Sequence, residues 1–173
     1  MLRILLVPVL VVALLGETPN GDVLGAIVFA IASLTDYLDG WLARTRGAIT
    51  QFGKLMDPIA DKLLVVAALL SLVSLDRLAP WVAMVIIARE LAVTVARAQA
   101  PEVIPAAGLG KLKTAVQVAA IFFLILFDPA PVWVDGLVYA AVAVTVVSGV
   151  SFFLDLRQRA TRGPLSSHSR ADV

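Results

Sequence analysis

Val23-Leu-Gly-Ala-Ile-Val-Phe-Ala-Ile-Ala-Ser-Leu-Thr-Asp36-Tyr-Leu-Asp39-Gly40-Trp-Leu-Ala43-Arg44 is an apolar run that ends in acid. Eight residues later the order reverses, and Gly53-Lys-Leu-Met-Asp57-Pro-Ile-Ala-Asp61 leads back into an apolar run. Asp36, Asp39, Gly40 and Ala43 stand at i, i+3, i+4 and i+7, which is one stripe of a helix. Gly53, Asp57 and Asp61 stand at i, i+4 and i+8, again one stripe. A carboxylate within a membrane costs about 2.5 kcal/mol or more at the bilayer centre, so acids placed there are read as functional.

The rest of the chain supports a membrane setting. Its 173 residues are 60% hydrophobic with a mean hydropathy of +0.95, whereas soluble domains are about 45–50% apolar. The length suits one domain. With no cysteine, disulfides and thiolate metal sites are excluded. The single histidine, His168, lies in a polar tail and leaves no imidazole for a buried site.

Six hydrophobic stretches are expected to cross the bilayer as helices: Leu2–Leu15, Val23–Arg44, Gly53–Leu72, Ala79–Ala98, Leu112–Phe127 and Pro131–Leu156. Turn-rich breaks separate them at Gly16–Gly21, Arg46-Gly47, Ser74–Arg77 and Asp128–Pro131. Pro101–Gly110 is expected as the longest internal loop. The fold class is therefore all-α, a bundle of six transmembrane helices. Residues 1–156 form the catalytic domain and 157–173 a basic, disordered tail. No signal-peptide cleavage pattern is seen at the start.

Positive charge orients the bundle. With both termini cytoplasmic, twelve basic residues, from Arg3, Arg44 and Arg46 through Lys62 and Arg97 to Arg170, fall on or near one face. Arg89 lies within the fourth span, toward that face. Only Arg77 falls opposite, among Glu17, Asp22, Asp76, Asp128 and Asp135. The acid stripes then lie at the cytoplasmic mouth, open to water-soluble substrates.

If the two stripes face each other, four carboxylates share one polar cavity. Unpaired, they would repel and take up protons. Two divalent cations would balance them, and magnesium suits a carboxylate shell that also holds water and a phosphate-bearing substrate. Paired metals at a phosphoryl centre stabilise both the attacking and the leaving oxygen. Small residues beside the acids allow close approach to the backbone, and the forked donors of Arg44 suit a diphosphate. Pro58 is expected to kink or loosen its helix. The plain alternative is that these are helix-end acids paired with Arg44, Arg46, Lys54 and Lys62. That suits any one of them better than it suits two aligned stripes, and Lys62 itself fits snorkelling or charge balance.

The order Asp-x-x-Asp-Gly-x-x-Ala-Arg, eight residues, Gly-x-x-x-Asp-x-x-x-Asp resembles the signature of the CDP-alcohol phosphatidyltransferases, with every fixed position filled. The resemblance implies a site with two ions, Mg²⁺ or Mn²⁺. Asp36, Asp39, Asp57 and Asp61 would be ligands, and Asp61 also the base that takes the acceptor hydroxyl's proton. It implies that Gly40, Ala43, Arg44 and Gly53 hold the CDP moiety. The reaction would be attack of an alcohol on the β-phosphorus of a CDP-linked lipid, releasing CMP. It further implies a homodimer and no nucleic-acid partner. Relatives usually carry a short stretch before the first span that ends in a Leu-Thr-x-x-Arg pattern. Only Arg3 of that pattern stands here, so a late-starting span or a preceding amphipathic piece is expected.

Arg89-Glu90, Arg97 and Gly110-Lys111-Leu-Lys113-Thr114, with Leu34-Thr35-Asp36 and Met56-Asp57-Pro58, look like the bacterial branch of this family that makes phosphatidylglycerophosphate. CDP-diacylglycerol and glycerol 3-phosphate would be the substrates and the bacterial inner membrane the location. Arg89, Arg97, Lys111 and Lys113 are the candidates for binding the acceptor phosphate, with Thr114 as an extra hydroxyl donor. Ordinary anchoring by positive charge is the alternative for the two lysines, and Glu90 suits a neutralising role. Synthesis of phosphatidylinositol phosphate or cardiolipin remains open within the family. A divalent-cation or proton transporter is the reading from another class, although the acids cluster near one face instead of marking a pathway. The basic tail suits anionic lipid headgroups.

Overall fold

The computed structural model describes residues 2–16, 18, 20–46, 51–99 and 108–162, with side chains described for 4–16, 18, 20–35, 62–97 and 112–158. Six helices follow one another: α1 (Leu2–Leu15), α2 (Gly21–Arg46), α3 (Gln51–Ser74), α4 (Pro80–Gln99), α5 (Gly108–Leu126) and α6 (Val132–Arg162). No strand occurs among the described residues. The chain is all-α, with each helix on one of the expected hydrophobic stretches.

Two boundaries differ from expectation by more than two residues. α5 begins at Gly108, inside the stretch expected as loop; the first turn of a helix has no intrahelical acceptor for its N–H groups, so glycines there cost little. α6 continues past Leu156 to Arg162 because Arg157-Gln-Arg-Ala are good helix formers. α3 runs unbroken through Pro58, so any loosening there does not end the helix. Residues 163–173 and residues 101–107 of the expected loop lie outside the described residues.

α1 packs on α2 and α3, α5 on α2 and α6, and α4 on α3 and α6. The shared core contains Leu10, Phe29, Leu64, Leu69, Ile121 and Ile125, all fully buried. Gly25 lets α1 approach α2 closely. A methyl group there would lie 2.6 Å from a Leu14 methyl.

The turn from α3 to α4 is well defined. Asp76 takes a left-handed φ of 57°. Its N–H donates to Val73 O at 3.1 Å, and that of Arg77 donates to Leu72 O at 2.9 Å. This is a Schellman stop with aspartate where glycine is usual. Pro80 then occupies the first position of α4, where its missing N–H is not needed.

The stop delivers Arg77 to the ends of three other segments. Its guanidinium donates to both Asp22 carboxylate oxygens, at 2.8 and 3.0 Å, and pairs with Asp128 at 2.8 Å. It also donates to Ile125 O at 3.4 Å. The hydrogen bonds from Arg77 to Asp22 raise its pKa further, against a smaller lowering by burial. Arg77 therefore joins the start of α2, the end of α5 and the α5–α6 turn. Trp81, stacked on Tyr139 at 6.3 Å, and Trp133, edge-on to Phe123 at 4.9 Å, lie toward this same end.

The outside of the bundle is apolar. On α2, Val23, Leu24, Ile27, Ile31 and Leu34 form one exposed stripe, and Leu5, Val12, Met84 and Val147 are each more than half exposed. Val132–Gln158, which contains an 18-residue window of mean hydropathy 2.2, is one stretch long and apolar enough to cross a membrane. The apolar parts of α1, α2, α3 and α5 are shorter: Ile4–Leu15, Gly21–Thr35, Lys62–Ser74 and Leu112–Leu126.

Candidate active site

Asp36, Asp39, Gly40, Ala43 and Arg44 lie on the last third of α2, and Gly53, Asp57 and Asp61 on the first half of α3. The helical periods assumed for both stripes are therefore present. Only residues 47–50 join the two helices, which pack on each other, so both stripes belong to one end of the bundle. The side chains of these eight residues and of Lys111 lie outside the described residues. Among the described residues no group of three possible metal ligands occurs.

A second polar group is described in full where α4, α5 and α6 meet. Lys113 of α5 is buried and forms an ion pair with Glu90 of α4. A buried ammonium requires such a counter-charge, because taking it unpaired from water costs several kcal/mol, roughly. Glu90 Oε1 is also 3.7 Å from Arg89 Nη1. Arg89 reaches across to α6, where its Nη2 donates to Ser148 Oγ at 2.8 Å. Ser148 passes the contact on, donating to Thr145 O at 3.2 Å.

Of the four residues expected to bind an acceptor phosphate, Arg89 and Lys113 thus meet at Glu90. Arg97 is two turns along α4, exposed, with its guanidinium 5.2 Å from the centre of the Phe152 ring. Thr114 is exposed. Arg89 and Lys113 with Glu90 carry a net charge of +1, which suits an anionic group.

Sequence reasoning did not single out Gln117, Thr145 or Ser148. All three are buried, and Gln117 Oε1 and Thr145 Oγ1 have no hydrogen-bond partner. The available signal was Thr145, Ser148 and Ser151 at i, i+3 and i+6 within the otherwise apolar α6. A separate hollow of about 340 Å³, lined by Pro8, Val9, Val12, Ala13, Thr18 and Leu24, holds no ionisable group and offers no phosphoryl chemistry.

A sequence model of the CDP-alcohol phosphatidyltransferase family matches residues 1–148. The chain belongs to the CDP-alcohol phosphatidyltransferase family. It is an enzyme of that class. The chain is 42% identical over 171 aligned positions to the CDP-diacylglycerol–glycerol-3-phosphate 3-phosphatidyltransferase of Bacillus subtilis, covering 87% of this chain and 89% of the relative. It is 43% identical to a probable phosphatidylglycerophosphate synthase of Mycobacterium tuberculosis, covering 88% and 76%. A Rickettsia felis protein with the same name as the Bacillus relative is 34% identical, covering 89% and 84%.

Proposed function

We propose that this phosphatidyltransferase moves the phosphatidyl group of CDP-diacylglycerol to glycerol 3-phosphate, giving phosphatidylglycerophosphate and CMP. The observation that carries the reading is the complete signature on the adjoining ends of α2 and α3, in a chain 42% identical to a relative named for this reaction. The cationic pair Arg89 and Lys113 supports a phosphorylated acceptor over a neutral one.

In the reaction the acceptor hydroxyl oxygen bonds to the β-phosphorus of CDP-diacylglycerol. The bond from that phosphorus to the bridging oxygen breaks, and CMP leaves with the electron pair. Asp61 takes the hydroxyl proton, a role for a positioned base worth about 10²–10⁴-fold. Arg44 would hold the diphosphate through its forked donors, with Gly40, Ala43 and Gly53 leaving room for the nucleotide. Arg89 and Lys113, with Lys111 and Arg97 nearer the basic end, would hold the acceptor's phosphate and fix its hydroxyl in line.

Four carboxylates on two packed helices are a hard-oxygen donor set that fits Mg²⁺ or Mn²⁺. Two ions held by Asp36, Asp39, Asp57 and Asp61 would supply charge neutralisation at the phosphates and acidify a bound hydroxyl. We also place the bundle in the bacterial inner membrane as six spans, with both termini and the site facing the cytoplasm, and working as a homodimer. The apolar exterior, the tryptophans at one end and the basic residues at the other support that placement.

Release of CMP by the purified chain from CDP-diacylglycerol, with a panel of acceptors, tests the reading. Glycerol 3-phosphate should support turnover, and chelation of divalent cations should abolish it. Turnover with inositol phosphate or phosphatidylglycerol but not glycerol 3-phosphate would overturn the choice of acceptor.

A further inference from the structure

We infer that Ser148 and Gly149 of α6 are positioning residues for Arg89, setting the selectivity of the enzyme for a phosphorylated acceptor. This rests on the proposed role of Arg89 at the acceptor phosphate.

An arginine side chain has four flexible torsions, and within an apolar bundle its head could turn several ways. Here three contacts fix it. Ser148 Oγ accepts from Nη2 at 2.8 Å, and Glu90 draws Nη1 from 3.7 Å. Gly149 supplies the third by having no side chain. A methyl group there would lie 3.1 Å from Arg89 Cγ and 3.5 Å from Nε, so the stem would have to give by a few tenths of an ångström. The Ser148 hydroxyl is committed on both sides, since it accepts from Arg89 and donates to Thr145 O. Such a relay polarises and strengthens each bond in it.

One donor is left over. Arg89 Nε is buried and has no hydrogen-bond partner. A buried donor without a partner is costly, and in native structures it calls for an explanation. The arrangement around it explains this one: α6 holds Nη2, leaves the stem room to lie flat, and keeps Nε–H for an oxygen that arrives with substrate. A phosphate monoester supplies such an oxygen, and a neutral polyol supplies a far weaker acceptor. Because a guanidinium keeps its charge, its selectivity comes from where its N–H groups point. That direction is set by α6, which carries none of the family signature.

Steady-state kinetics of the full chain in vesicles containing CDP-diacylglycerol test this. Ser148→Ala should raise the KM for glycerol 3-phosphate roughly tenfold, with the KM for CDP-diacylglycerol within twofold of the parent. Ser148→Thr, which keeps the hydroxyl, should restore the acceptor KM, and Gly149→Ala should raise it as Ser148→Ala does. In an Arg89→Ala background, Ser148→Ala should add nothing, since it acts through the missing side chain. Additive losses, equal changes in both KM values or no rescue by threonine would make Ser148 merely structural and overturn the inference. If Arg89→Ala raises the acceptor KM while Ser148→Ala and Gly149→Ala leave it unchanged, only the positioning role falls. If Arg89→Ala itself leaves the acceptor KM unchanged, the acceptor reading falls and the inference with it.

Discussion

Asp61 and Asp57 stand one helical turn apart on α3, yet they are assigned different work, and single substitutions separate them. Asp61→Asn keeps the shape and one oxygen but removes the base. Turnover should fall below about one hundredth of the parent, while binding of CDP-diacylglycerol, read by equilibrium titration, is partly kept. Near-normal turnover would remove Asp61 from the role of base. Asp57→Ala should instead lose metal, read by isothermal titration of the cation, together with activity. At this scale the signature was fully legible, because residue type and spacing define it. The partner of Lys113 was not, since nothing near it in sequence names Glu90. The sequence reading left Glu90 as neutralising Arg89 or another base, and the packing of α4 and α5 on a shared neighbour, α6, makes Lys113 its ion-pair partner.

Helices were legible as elements because each is a long apolar run closed by turn residues. What ends them was only partly so. Gly16 and Asp128-Pro129 are ordinary stops, but α3 stops on an aspartate in a left-handed conformation. This gives neighbouring residues opposite expected effects. Asp76→Gly should stabilise the protein by about 1 kcal/mol, as the strain of φ > 0 is relieved. Arg77→Ala should destabilise it by about 1–3 kcal/mol, because it leaves Asp22, the Ile125 carbonyl and Asp128 without their shared donor. Thermal unfolding in detergent reads both. A fall in stability for Asp76→Gly would show that its carboxylate outweighs the strain. The charge of Arg77 is secure near neutral pH, since its pKa is raised from an already high value.

For the molecule as a whole, sidedness follows from two unlike ends. One holds the Arg77 clasp with the exposed rings of Trp81 and Trp133, and the other holds both acid stripes and the basic end of α6. The chain has no cysteine, so single-cysteine variants can map it without background. In intact cells Asp135→Cys should react with a membrane-impermeant maleimide, whereas Arg157→Cys should react only after permeabilisation. The reverse pattern would invert the proposed topology. The sequence by itself determined the six helices, their apolar faces, the acid signature and the difference in charge between the ends. All of these depend on residue type and on periods of a few residues. Only the tertiary structure decided which polar groups meet: Arg77 with Asp22, 55 residues away, and Arg89 with Ser148, 59 residues away. Local spacing describes one helix at a time. A buried donor finds its acceptor through the packing of helices, and that packing is set by the whole core.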